Sequence, residues 1–406
     1  MRLHDAALAT ITGVLYSGLA AAGGPLGIDS DGTPFAWSTA TAIQYRTDNG
    51  PLSATVTQSV AQSRVRGMFD AWQDVASASI RYNRAGFIQN TAGFSDGDVS
   101  TAAEFNAVEG SCFDGDQSPI VYDVDGSLFE DLGEDSSVIG FAGPCAIDAN
   151  GHYFAGRAVM NGRFQDGIDT AANLELTTAE FNAAFIHEFG HFSGLDHSQI
   201  NVECASNACG SDNLAGLPTM FPFLVSDQQA TLSIDDVAWI SKLYPAGGGG
   251  GFNATHGTIR GTVYFSDGES QVQFANVVAR RVDAGGNEDR RLAASVVSGY
   301  RFRACHPNPI TNPPPSDCGT SGSDTASHIG LYEIPLPPGN YTIEVESINP
   351  QFTSGSSLGP SDFPIPLPVA PPAPIGPITV TAGQTSSGND VTLIGTPPRF
   401  DAFEGP

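Results

Sequence analysis

Three of the chain's eight histidines fall in one short segment, HEFGHFSGLDHS, His187 to Ser198. Their spacing dictates the local shape. His187 and His191 stand four apart, so on an α-helix both imidazoles leave the same face. Gly194 tolerates the positive φ that ends a helix in a sharp turn. A chain turned there carries His197 back beside the first two. Glu188 is offset around the helix, short of an ion shared by the histidines but within reach of a water on it. Three neutral imidazoles leave a zinc ion a fourth, open position, the arrangement of a catalytic site rather than a closed structural one.

The surrounding pattern supplies that helix and two more. Thr177 followed by Glu180 reads as a capping box opening a helix over 178–192. Val56, Val60, Val65, Met68, Phe69, Trp72 and Val75 recur at helical spacing over 55–76. Ser233 precedes a helix over 234–244, with Asp235 and Asp236 in its first turn, Val237, Ile240 and Leu243 on its buried side, and Pro245 at its end. Short strands are expected at 43–47, 79–83, 119–123, 137–142 and 153–160. Helices and strands so interspersed make an α+β domain over 41–246, after an N-terminal segment 23–40.

GGGGG at Gly247 to Gly251 marks a flexible linker over 247–256. Beyond it, GTIRGTVYF, FANVVARRV, GLYEIPL, NYTIEVESI, PITVTAG and DVTLIG read as short strands broken by Gly, Pro and Asn. They make a second, all-β sandwich domain over 257–396, with a proline-rich extended loop at 359–377 and a tail at 397–406. The linker implies that residues 23–246 fold without this module.

Residues 1–22 have the form of a secretory signal: Arg2, an apolar stretch from Ala6 to Leu19, and Ala20-Ala21-Ala22 as the cleavage site. No later segment has the continuous apolar length of a membrane span. The six cysteines form three local couples: Cys204 with Cys209, Cys305 with Cys318, and by remainder Cys112 with Cys145. None has CxxC spacing, so disulfides in an exported, extracellular protein are expected. A net charge of −27 argues against nucleic acid or an anionic membrane as partner and reads as a solubilising surface.

The histidine motif is similar to the HExxHxxGxxH signature of the metzincin zinc proteases, and Ser198 after the third histidine resembles their matrixin branch. LPTMFPF, with Met220, looks like the methionine turn of that family, and LSIDDVAWISKLYP like its closing helix. The resemblance covers roughly 41–245. It implies that His187, His191 and His197 hold one catalytic zinc, that Glu188 is the general base, and that Met220 floors the imidazoles. It implies further that strand 138–142 pairs with an extended protein or peptide substrate and that 218–224 wall a specificity pocket. The activity so implied is that of a secreted zinc endopeptidase acting through a zinc-bound water activated by Glu188.

Where some family members carry a fifth, tyrosine ligand, this chain has Pro222. No cysteine precedes Cys112, so a propeptide thiol switch is not expected. YDVDGSLFEDLGEDS offers Asp123, Asp125, Glu130, Asp131, Glu134 and Asp135. These lack the glutamate spacing of an EF-hand, and both a calcium site and a solvated acidic loop stay open. The second domain resembles transthyretin-like modules of secreted proteins, and binding of a surface or substrate is its expected role. Two other functions remain open: a catalytically degenerate adhesion or binding protein, which the intact Glu188 argues against, and a zinc amidase acting on a non-protein substrate.

Overall fold

The computed structural model describes residues 23–134, 136–170, 174–198, 200–201, 204, 210–302, 322–347 and 372–395. The signal-like segment 1–22, Cys209, Cys305, Cys318, the greater part of the proline-rich stretch and the tail 397–406 lie outside them. The protein mixes helices and sheets and is broadly α+β, as its patterning anticipates. Its contacts form two compact units. The first comprises Phe35–Leu195 and Thr219–Leu232; the second takes in residues 23–34, Asp196–Pro218 and the described residues of Ser233–Pro406. This grouping departs from a division at the glycine run, since helix 234–243 counts with the second unit.

The first unit runs β1 (Ala36–Trp37), β2 (Ile43–Thr47), α1 (Gln58–Gln73), β3 (Tyr82–Phe87), α2 (Ala102–Phe113), β4 (Pro119–Asp123), α3 (Ser127–Asp131), β5 (Gly140–Ile147), β6 (His152–Asn161) and α4 (Thr178–Phe192). The sheet order is β1-β6-β4-β2-β3, with all these pairs parallel, and β5 added antiparallel to β6. Parallel strands covered by helices are buried throughout, which is why β4 reads PIVYD without polar alternation. Helix α1 buries Ala61, Val65, Met68, Phe69 and Trp72. It packs on α4, where Phe69 stacks on Phe189 at 4.0 Å and Trp72 Nε1 donates to the Ile186 carbonyl at 2.8 Å.

Two differences from the sequence pattern have local causes. Strand β3 starts at Tyr82 rather than 79, because the residues after α1 are spent on turns closed by the Val75 and Ala78 N–H groups. Helix α2 has no counterpart in the sequence pattern read above. Its apolar residues Phe105, Val108 and Cys112 have helical spacing, but Gly110 and Ser111 interrupt them. The usable signal is its cap, where the Thr101 hydroxyl accepts the Glu104 N–H. Phe105 and Val108 pack with Val121, Phe141 and Val159 under the sheet.

The second unit contains α5 (Ser211–Leu214), α6 (Ile234–Leu243), α7 (Phe252–Thr255), β7 (Gly257–Tyr264), β8 (Asn276–Val282), β9 (Glu288–Val297), β10 (Leu331–Leu336), β11 (Gly339–Glu346), β12 (Ile375–Val380), β13 (Thr385–Ser386) and β14 (Val391–Thr392). Its strands form two four-stranded sheets, β10-β7-β13 with β14 also on β7, and β12-β11-β8-β9. Strand β9 escapes the sequence pattern because it begins with the charges of EDRR, none of them buried, and turns apolar and buried only in its second half. Ile375 to Pro377, at the end of the proline-rich stretch expected as loop, belong to β12. The glycine run is a turn closed by the Gly251 N–H on the Gly248 carbonyl, leading directly into α7.

Helix α6 opens with the Ser233 capping box and lies against β9. Asp235 Oδ1 accepts the Ser295 N–H at 2.8 Å, and Trp239 Nε1 donates to the Ser295 carbonyl at 2.8 Å. Arg280, buried on β8, donates to Asn201 Oδ1 at 2.9 Å and pairs with Glu344 and Glu346. Ile200 packs with Val278 and Ala293.

Candidate metal centre

Helix α4 begins at the Thr177–Glu180 capping box and ends after Phe192. Its close is a Schellman turn: the Gly194 N–H reaches the His191 carbonyl at 2.8 Å and the Leu195 N–H the Gly190 carbonyl at 3.0 Å. Gly194 sits at φ 86°, a conformation that disfavours other residues. The turn brings His197 to the two helical histidines. Potential ligand atoms of His187, His191 and His197 lie within 4.8 Å of one another, close enough to share one metal ion. All three are buried, at 2, 4 and 3 % exposure. Among the described residues this is the one group of three or more such side chains that comes together.

Backbone carbonyls orient two of the rings. His187 Nδ1 lies 2.8 Å from the Thr219 carbonyl, and His191 Nδ1 lies 2.8 Å from the Leu195 carbonyl. A carbonyl only accepts, so each Nδ1 carries the proton and each neutral ring keeps its Nε2 lone pair for a metal. Burial pushes His187 down to about 3, with His191 adding to the effect and the Thr219 carbonyl opposing it. Burial lowers His191 to about 4. Both rings are therefore neutral near pH 7, the form that binds metal. Three buried histidine nitrogens suit zinc.

Glu188 is 1 % exposed, and neither of its carboxylate oxygens has a well-formed hydrogen bond. Burial raises its pKa well above the ordinary value, and the nearby Ala142 backbone N–H opposes that rise. Ala142 belongs to β5, which pairs with β6 alone among the described strands and so leaves its other edge open. The strand expected at 137–142 runs instead over Gly140–Ile147. Met220, 2 % exposed, packs its sulfur against Gly190, between the two helical histidines. Phe221 and Phe223, in the segment expected to wall a pocket, are buried, with ring centroids 6.3 Å apart.

Asp196 carries no motif signal in the sequence. It is 1 % exposed, its Oδ1 accepts the His197 N–H at 2.7 Å, and its Oδ2 has no hydrogen-bond partner. Its own N–H reaches the Gly24 carbonyl at 3.0 Å, and the Gly23 N–H donates to the His197 carbonyl. The carbonyls of Thr219 and Leu195 also went unseen, since an orienting backbone group has no residue-type signature.

Cys112 and Cys145 are joined, and Cys204 is disulfide-bonded. In the acidic loop, Asp123 caps a turn, accepting the Gly126 and Phe129 N–H groups at 3.0 Å each. Asp125 accepts the Ser127 N–H at 3.1 Å, and Glu130 lies 3.7 Å from Arg163. Asp135 lies outside the described residues. No described helix is long and apolar enough to cross a membrane. No protein-family model matches the chain, and neither does any curated protein.

Proposed function

We propose that the protein is a secreted zinc endopeptidase of the metzincin type, nearest the matrixins. The observation that supports this best is Glu188. A dry carboxylate without a well-formed hydrogen bond, one residue from a buried histidine ligand, is costly to keep for structure alone. Its environment suits a group that takes and returns a proton.

A zinc ion held by His187, His191 and His197 supplies Lewis acidity to a water and to the scissile carbonyl. The protein does the rest. The carbonyls of Thr219 and Leu195 hold two imidazoles in the ligating tautomer. A Glu188 oxygen accepts the proton of the attacking water and later delivers it to the leaving amine nitrogen. The open edge of β5 near Ala142 gives an extended peptide backbone a strand to pair with, alongside Glu188. In the second unit, the two four-stranded sheets are read as a transthyretin-like sandwich that targets the enzyme to a surface or substrate.

The test joins metal content with cleavage. The purified protein should hold one zinc and cleave members of a peptide library, and a chelator should abolish cleavage. Glu188→Ala should keep the zinc and lose about 10²-fold or more in turnover. His197→Ala should lose metal affinity itself. A zinc-loaded protein that leaves every peptide intact, or Glu188→Ala turning over at the parent rate, refutes the proposal.

A further inference from the structure

The backbone of β5 has two sides, and its register says which residues serve each. The Asn161 N–H reaches the Ile139 carbonyl at 3.0 Å, and the pairing runs in step from Gly140 opposite Met160 to Pro144 opposite Gly156. In an antiparallel pair, directly opposed residues exchange hydrogen bonds only at every second position. Ile139, Phe141 and Gly143 therefore turn their backbone groups to β6. Gly140, Ala142 and Pro144 turn theirs the other way, to the edge that no described strand pairs with. The Ala142 N–H lies beside the Glu188 carboxylate, which agrees with this assignment.

The third of these outward positions has no N–H to offer. Proline is tolerated in a sheet where its missing donor faces away from the ladder, so Pro144 takes nothing from the pairing with β6. What it removes is a donor on the outer edge. Directly after it the register shifts, between Pro144 and Ala146 and again between Ala146 and Ile147. Cys145, the residue displaced there, is bonded to Cys112 of α2. This end of the strand reaches the surface: Pro144 and Cys145 are half-buried, and Ile147 is 46 % exposed. The outer edge thus runs in regular alternation past Glu188 and then loses first a donor and next its alignment.

We propose that Pro144 is a specificity-determining residue, ending the strand pairing of a peptide substrate on one side of the cleaved bond. The inference rests on the endopeptidase reading above. A substrate backbone opposite Ala142 meets both an N–H and a carbonyl, and toward Gly140 it meets both again. Two residues along toward Pro144 it meets a carbonyl alone, whichever direction the substrate strand runs. Past that point the shifted register holds no group in step with it. Recognition through the backbone is therefore lopsided, and a substrate gains nothing from extended structure beyond Pro144.

The test is a nested set of peptides around one cleaved bond, lengthened a residue at a time on either side, with kcat/KM measured for the full chain and for Pro144→Ala. In the parent, lengthening should raise kcat/KM on one side and level off after the second residue on the other. Pro144→Ala restores the N–H. It should raise kcat/KM about threefold to tenfold for peptides long enough to reach it, chiefly through KM, and leave shorter ones unchanged. Where Pro144→Ala fails to fold, the parent series decides, and equal gains on both sides overturn the proposal. A variant whose length dependence matches the parent's, or whose rates change alike for every length, also overturns it. A zinc-loaded parent that cleaves no peptide refutes the endopeptidase reading itself and this inference with it; cleavage without the asymmetry refutes the role of Pro144 alone.

Discussion

The sulfur of Met220 occupies the space that a side chain on Gly190 would need, between the two histidines of α4. Trp72 closes the same space from α1. Glycine is a poor helix former, and here its missing Cβ is what lets the methionine reach the helix backbone. Gly190→Ala gains helix propensity but drives a methyl into the sulfur and the indole. It should lower stability by about 1–3 kcal/mol, as overpacking does. Denaturant unfolding measures this, and shortening the methionine in Gly190→Ala/Met220→Ala should return part of the loss. A single variant as stable as the parent would show that Met220 is free to move aside.

The carboxyl groups of Asp48 and Asp98 lie close enough to influence each other's titration. Burial pushes Asp48 up to about 7, and the Asp98 charge adds to this against the N–H groups of Gly50, Val99 and Tyr122. The folded pKa thus lies above the unfolded value of about 3.9. Between the two the native state holds more protons, so stability from this group falls as pH rises from about 4 to about 7 and then levels off. Asp98→Asn removes the neighbouring charge and offers an N–H donor. It should flatten that fall and leave the variant more stable at pH 8 by about 1 kcal/mol or more. Urea unfolding at pH 4, 6 and 8 decides, and parallel profiles for variant and parent would count against the coupling of the two carboxyls.

A chain ending at residue 246 keeps all three histidines but loses Ser295, Arg280, Val278 and Ala293. Buried Asp235, Trp239, Asn201 and Ile200 are then left without partners they have in the full second unit. The flexible-linker division expects such a fragment to fold and work alone. The contacts expect it to melt lower than the full chain and to bind zinc about tenfold or more weakly, because the segment carrying His197 has lost its anchorage. Metal competition titrations on both chains separate the two expectations, and equal affinities favour the linker division.

The Cys112–Cys145 disulfide closes a sequence separation of 33 residues between α2 and β5. Replacing both cysteines by serine frees that loop in the unfolded state and should cost about 3 kcal/mol. Calorimetry of the double serine variant checks this. A melting point unchanged from the parent would place the bond outside the cooperative core.

Local signals made much of the metal centre legible. The Thr177–Glu180 box, the i,i+4 histidines and Gly194 each act within one or two turns of chain, so α4 and its closing turn run where the residues place them. The Ser233 box sets the start of α6 in the same way. Tertiary structure decided what is held together over distance. Thr219 orients His187 across 32 positions in sequence, and Met220 finds Gly190 across a similar gap. Asp48 meets Asp98 only because β2 and the segment before α2 close on each other. Capping and periodicity are written in neighbouring residues, because the forces behind them act through one helical turn. A buried carbonyl or a missing Cβ depends on which surfaces pack, and packing is settled by the whole sheet at once.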